Sequence, residues 1–308
     1  MAAARSDAGH RPGAEAAIAA VVVNWRQERA TVECARRLLG WRLLAPAVTV
    51  VDNASGAAAV ARLREALPGA RVLANPTNAG FGAAVNRALA TTDAEFVLLL
   101  NNDAELGEDA AGELLAFLVA HPEAAVAGPV LEAAAPPHEV IAAGGRDPGR
   151  HGRTHARAAE RAAELAAGRP YRVDYVPGTA ALLRRAPLAA IGGFEEAYFF
   201  SGEMADLCAR AGDAGLGSYI VPAARARHDL DAAADQRAVL YAYYSLRNRF
   251  LFVRRRRAAP AAALAVWALR GCLGALAAGR RDRGRALALA VADGLRGRFG
   301  PADERVRR

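Results

Sequence analysis

Short apolar runs that stop abruptly at polar residues recur through the first hundred positions. Glu95-Phe-Val-Leu-Leu-Leu100 is long enough for a buried strand and too short for a helix, and it ends at Asn101, Asn102 and Asp103. Ile18 to Asn24 and Ala47 to Asp52 repeat the pattern, and Arg71-Val-Leu-Ala74 is a shorter strand. Helical stretches separate them: Gln27 to Leu39, with Val32, Ala35, Leu38 and Leu39 on one face, Ala57 to Leu67, stopped by Pro68-Gly69, and Phe81 to Ala90. The alternation predicts right-handed crossovers and a parallel sheet. Asn24, Asp52 and Asp103 then line one edge of it, at the carboxyl ends of strands, where open α/β sheets bind ligands. Asn and Asp also cap helices, which accounts for one such strand end. Three in one unit favour a site.

Beyond Asp103 the pattern loosens. Asp109 to Ala120 predicts a helix and Ala124 to Leu131 a strand. Pro136 to Arg169 is rich in Gly, Pro, Arg and His and reads as a mobile excursion, with His138, His151 and His155 as solvated loop residues. Tyr171 to Leu183 returns to β character, broken at Pro177-Gly178. After the turn Gly192-Gly193 and the aromatic lead-in Ala197 to Phe200, Glu203 opens a helix running to about Ala211. Glu203 and Asp206 share its first turn, where the helix dipole favours carboxylates whether or not they do chemistry.

Composition and charge add a second theme. The chain has 308 residues and no lysine; all forty basic residues are arginine, and the formal net charge is +8. From Asp231 onward there are seventeen arginines against six acids, so a near-neutral body carries a basic tail. Such a tail fits an anionic partner: lipid headgroups, phosphates or nucleic acid. Three widely spaced cysteines, Cys34, Cys208 and Cys272, argue for a reducing compartment without a disulfide framework. Residues 1–17 lack an apolar core of signal-peptide length and read as a disordered leader.

Seven pieces, in order, carry a resemblance: Val21-Val-Val-Asn-Trp25, Val51-Asp-Asn-Ala-Ser55, Asn78-Ala-Gly-Phe-Gly-Ala-Ala-Val-Asn86, Leu99-Leu-Asn-Asn-Asp103, Gly192-Gly-Phe-Glu-Glu196, Glu203 to Cys208, and Arg247-Asn-Arg249. Together they resemble the family 2 glycosyltransferases, in particular the bacterial rhamnosyltransferase-like branch that builds cell-envelope polysaccharides. The resemblance implies an α/β GT-A fold, with a mostly parallel Rossmann-like sheet flanked by helices and a C-terminal helical tail. It also implies a nucleotide-sugar donor, a divalent metal (Mn2+ or Mg2+) and inversion at the anomeric carbon. The domain would span 18–230, with a nucleotide-binding half (18–103) and an acceptor half (104–230), followed by a basic helical segment over 231–308. Asp103 suits the metal, with Asn101 and Asn102 around it, because a carboxylate-held cation stabilises charge on a departing diphosphate. Asp52 stands where the family's strand-end acid meets the nucleoside, and Asn24, Asn53 and Gly178 are expected to line the donor with it. Asn78, Gly80, Gly82 and Asn86 look like the loop and helix face along the nucleotide.

Inversion by direct displacement needs a general base beside the acceptor hydroxyl. The family's usual pattern is Glu-Asp-x-Asp-Leu, with the second acid as base. This chain has Glu203-Met204-Ala205-Asp206-Leu207, and Met204 cannot take a proton. Three alternatives stand: Glu203 is the base with a longer reach, Asp206 is, or transfer activity is lost. The intact frame of glycines, aromatics and Asp206-Leu207 favours Glu203. His228, where the family often carries a histidine, is either a metal or diphosphate contact or an ordinary surface residue.

In the tail, Tyr241 to Arg257 mixes aromatics with four consecutive arginines. Pro260 to Ala278 is apolar, but Arg270 and the many small residues argue against a membrane span. It is either an interfacial helix with Trp267 and the leucines buried in lipid, or a helical pair packed on the catalytic domain. The sequence therefore predicts an inverting transferase of rhamnose or a hexose from a dTDP- or UDP-sugar to a glycan or polyprenyl-linked acceptor, cytoplasmic and peripheral at the membrane. A non-catalytic nucleotide-sugar-binding or scaffold protein of the same fold is the rival. No nucleic-acid module accompanies the tail, so nucleic acid is not an expected partner. No Gly-x-Gly-x-x-Gly follows the first strand, which disfavours a dinucleotide enzyme.

Overall fold

Strand β4 (Phe96–Leu100) is buried at every position because helices cover both faces of the sheet. Phe96, Leu98 and Leu100 enter one core cluster, while Val97 and Leu99 enter the other. The computed structural model describes residues 18–150, 152–229, 235–256 and 261–307, the side chains of 235–237 excepted. The expected leader (1–17), His151, Arg257 and the 230–231 boundary lie outside the described residues.

The first half follows the sequence pattern closely: β1 (Ile18–Asn24), α1 (Glu28–Leu39), β2 (Ala47–Asp52), α2 (Ala57–Ala66), β3 (Arg71–Ala74), α3 (Phe81–Leu89), then β4. These strands are parallel in the order β3-β2-β1-β4, and the register sets Asn24 opposite Asp52. In the second half, β5 (Ala104–Leu106), α4 (Glu108–Ala120), β6 (Ala124–Ala133), β7 (Val140–Ala142), α5 (Ala162–Ala167), β8 (Tyr171–Arg172), β9 (Ala180–Arg184) and α6 (Arg185–Ala190) lead to α7 (Glu203–Asp213) and β10 (Gly217–His228). The sheet continues β4-β9-β6-β10-β5, with β9 antiparallel to β4 and β6, and β10 parallel to β6.

The expected mobile excursion from Pro136 to Arg169 has structure of its own. Besides β7 and α5 it holds a 3-10 turn at Ala158–Arg161, and Gly145 bridges to His155 and Tyr175. Arg249 fastens it from outside. The guanidinium is buried and donates to the carbonyls of Pro148 and Gly152, both at 2.9 Å, and of Arg150. It also lies 4.5 Å from the centre of the Trp267 ring. The excursion is thus a docked wall.

The C-terminal helices α8 (Asp235–Arg256), α9 (Ala261–Ala277), α10 (Arg281–Arg296) and α11 (Asp303–Arg307) share a third core around Tyr243, Phe250, Leu264 and Ala290. Tyr243 donates to the buried Asp293 carboxylate at 2.7 Å, which ties α8 to α10. No helix among the described residues is long and apolar enough to cross a membrane.

Candidate active site

The three strand ends do come together, joined by a hydrogen-bonded relay. Asn102 donates to the Thr31 hydroxyl at 2.9 Å, Thr31 to Asn24 Oδ1 at 2.8 Å, and Asn24 to Asp52 Oδ1 at 2.6 Å. The other Asp52 oxygen accepts from the Ser55 amide at 2.9 Å. Asn24 and Asp52 are fully buried and spend their hydrogen bonds on each other and on neighbouring backbone. They stand behind the cavity described next and do not line it.

In front of the relay opens a cavity of about 1810 Å3, roughly twice the upper end of an ordinary small-ligand pocket and large enough for two substrates. Of the expected donor residues, Asn53, Asn78, Gly80, Asn102 and Gly178 line it; Gly82 and Asn86 do not. A Cβ on Gly82 would stand 3.2 Å from Phe194 Cβ, so this glycine admits the Gly192–Phe194 turn. Asn86 holds that same turn, accepting from the Phe194 amide and donating to its carbonyl, both at 2.9 Å. Both residues support the site through that turn, which one helix face of small and polar residues does not reveal in sequence.

Asp103 and His228 meet on one wall. The antiparallel register of β5 and β10 sets His228 opposite Ala104, and the Asp229 amide bonds the Asp103 carbonyl at 2.9 Å. His228 Nε2 then lies 3.2 Å from Asp103 Oδ1, with both side chains mostly shielded. His228 also lines the cavity. A carboxylate and an imidazole converging on a cavity suit a hard or borderline divalent ion whose remaining positions come from phosphate oxygens and water. Among the described residues no group of three or more His, Cys, Asp or Glu side chains forms a metal cage. His155, expected as a solvated loop residue, lines the same cavity. Burial lowers its pKa, and His228 adds to the effect.

Glu203 enters the cavity from the start of α7, after a strained approach. Phe199, Ser201 and Gly202 all have positive φ, and Phe199 packs on Gly80, whose φ is +88°. Asn248 of α8 fixes this run by donating to the carbonyls of Tyr198 and Phe200, both at 2.8 Å, and of Ser201 at 2.5 Å. Arg247 adds a bond to the Tyr198 carbonyl at 3.1 Å. The Arg247-Asn-Arg249 motif therefore sets two walls of the cavity: Asn248 the approach to Glu203, Arg249 the excursion. The Glu203 carboxyl is buried, and its Oε2 has no hydrogen-bond partner. Burial raises its pKa from 4.5 to about 7.

Asp206, the alternative base, faces elsewhere. It is 1% exposed and bound by Arg210 Nε at 2.7 Å, Arg255 Nε at 3.1 Å and the Tyr198 hydroxyl at 3.3 Å. It pins α7 to α8 and does not line the cavity. Met204 does line it, packed so closely that a Cβ on Gly178 would stand 2.9 Å from Met204 Cγ. The cavity also takes Tyr241, Trp267 and Arg283 from the C-terminal helices. Sequence pattern marked that segment only as basic and aromatic. Trp267, expected in lipid or in a helix pair, faces the cavity under Arg249.

Comparison with known proteins bears on this site. The model of the family described as glycosyl transferase family 2 matches residues 20–192, ending before Glu203. An N-acetylglucosaminyl-diphospho-decaprenol L-rhamnosyltransferase of Mycobacterium tuberculosis is 28% identical over 252 residues, covering 73% of this chain and 80% of that protein. Among solved structures, a mannosyltransferase from Pyrobaculum calidifontis in complex with GDP-Man and Mn2+ superposes with a TM-score of 0.59 at 16% identity, covering 90% of this chain and 86% of that one. GalNAc-T7 with UDP, GalNAc and Mn2+ superposes with a TM-score of 0.61 at 14% identity, over 77% of this chain but 47% of that one. At these identities the structural likeness establishes the GT-A fold.

Proposed function

Since the chain belongs to glycosyl transferase family 2, we propose that it is an inverting transferase whose general base is Glu203, moving rhamnose or a hexose from a nucleoside diphosphate to a polyprenyl-linked glycan. One observation carries the reading. A buried carboxyl with one oxygen unpartnered and the Asp103–His228 pair face the same cavity, which is large enough for donor and acceptor together.

In this reading the donor lies along Asn53, Asn78 and Gly80, with its diphosphate towards Asp103 and His228. A divalent ion on that pair supplies charge stabilisation to the leaving group. Glu203, ionised, accepts the proton of the acceptor hydroxyl as that oxygen attacks the anomeric carbon. The bond from that carbon to the diphosphate breaks on the opposite side, so the configuration inverts and the nucleoside diphosphate leaves with the bonding electrons. The raised pKa suits the role: a carboxyl near 7 is a far stronger proton acceptor than one at 4.5 and is still substantially ionised at neutral pH. The Mycobacterium tuberculosis relative's name supports rhamnose as the sugar to try first and a lipid-linked acceptor.

Glu203→Gln tests the assignment. Turnover should fall roughly 100- to 10,000-fold while donor affinity is kept. Unchanged turnover would remove Glu203 as base. The non-catalytic rival is favoured by Met204, which stands where the family usually has an acid. It requires Met204→Asp to create transfer activity in a wild type that has none. The proposed mechanism requires the reverse: an active wild type, and a Met204→Asp variant no faster than it.

A further inference from the structure

Helix α9 has two unlike faces. Leu264, Ala265, Ala268, Cys272 and Ala275 are buried against the rest of the protein. On the opposite side Val266, Leu269, Leu273 and Leu276 follow one another at steps of three and four residues and stand 56%, 50%, 66% and 49% exposed. Four large aliphatic side chains in one exposed row are more than the scattered apolar residues of an ordinary surface. The row is also bordered by an excess of positive charge, with Asp282 the one acid among five arginines. Arg270 lies on the same helix, and Arg280, Arg281, Arg283 and Arg285 follow at the turn into α10. All five are exposed, and none forms an ion pair with a described residue.

The same two helices border the cavity. Trp267, Gly271 and Gly274 of α9 line it, as do Arg280 and Arg283. Tyr241 of α8 lines the same cavity as Glu203 and Arg283. The apolar row and the arginine border are therefore parts of one surface, carried by helices that also border the cavity.

We propose that this surface seats the protein on an anionic lipid bilayer, with the α9 row in the acyl boundary and the arginines among the headgroups. An amphipathic helix with aliphatic residues on one face and arginines around it has the chemistry of an interfacial element, and α9 is not apolar enough to span. A second copy of the chain is the poorer occupant. Self-pairing would bring the arginine borders of two molecules together, five arginines from each against the single acid Asp282. The inference deepens the transferase reading and rests on it in one respect: docking would hold the enzyme beside an acceptor anchored in the bilayer.

Flotation with large unilamellar vesicles of phosphatidylglycerol and phosphatidylcholine, against phosphatidylcholine alone, tests the dock. The full-length protein should float with the anionic vesicles only. Leu269→Ser/Leu273→Ser should abolish flotation, and Arg281→Gln/Arg285→Gln should weaken it about 30-fold. All four positions are exposed, so unchanged thermal unfolding and unchanged binding of UDP, dTDP or GDP keep the comparison clean. Wild type that ignores anionic vesicles, or variants that float as well as wild type, would overturn the proposal. So would a wild-type dimer in solution that Leu269→Ser/Leu273→Ser dissociates, because the row would then be a subunit interface. Nucleotide binding is read separately: a wild type that floats but binds no nucleotide contradicts the transferase reading and leaves the dock standing.

Discussion

Replacing Glu203 by glutamine should make the protein more stable as it makes it inactive. The carboxyl has a pKa of about 7 in the folded chain against 4.5 when exposed, the cause being burial. Ionising it in place therefore costs about 3 kcal/mol more than in water. Between the two values the folded chain binds more protons than the unfolded chain, so wild-type stability declines as pH rises through that window, and the whole cost is present above pH 7. The amide of Glu203→Gln keeps the shape and never ionises. Urea unfolding at pH 4 should give similar midpoints for the two proteins, while at pH 8 the variant should be more stable by up to about 3 kcal/mol. For a chain of 308 residues that corresponds to a rise in Tm of roughly 5 °C at pH 8. Single-turnover rates of the wild type should climb with pH through about 7, as the base form fills. Equal stabilities at both pH values, or a variant destabilised at pH 8, would refute the picture of a buried carboxyl kept uncompensated for its chemistry.

Other substitutions probe the neighbouring parts. Gly80→Ala should destabilise by at least about 3 kcal/mol, since φ is +88° and the new Cβ would stand 2.4 Å from the Phe199 carbonyl oxygen; Gly178→Ala meets only the flexible Met204 side chain and should cost less in the same urea titration. Met204→Asp places a second carboxyl in the cavity beside Glu203, so it should lower stability at pH 8 and shift the rise of the rate with pH upward. An unchanged pH profile would mean that residue 204 does not sense the base.

Much of the region from β1 to β4 was legible in sequence because three of its strands are apolar runs closed by polar residues, a pattern that backbone geometry translates directly into a strand end. The position of Asp103 follows from that alone. The direction of a side chain at a strand end does not. Asn24 and Asp52 end their strands as Asp103 does, yet the register pairs them with each other and leaves them behind the cavity. Asp206 and Glu203, three residues apart, diverge for a tertiary reason: Arg210 and Arg255 capture one carboxylate, while no described arginine pairs with the other and its Oε2 has no partner. The excursion has no periodicity because its order comes from outside it, through the three carbonyls held by Arg249. The C-terminal helices show the same limit. Their charge was readable, but their contribution to the cavity depends on packing between segments distant in sequence.

The claim that organises the account is that Asp103, with His228, forms the metal-dependent seat of a nucleoside diphosphate. Calorimetric titration of UDP, dTDP and GDP, each with and without Mn2+, into the wild type and Asp103→Ala tests it most directly. The account predicts that one nucleotide binds the wild type in the presence of Mn2+, and that the variant, still folded, loses that binding. Metal-independent binding that survives in Asp103→Ala, or no binding of any nucleotide to the folded wild type, would contradict it.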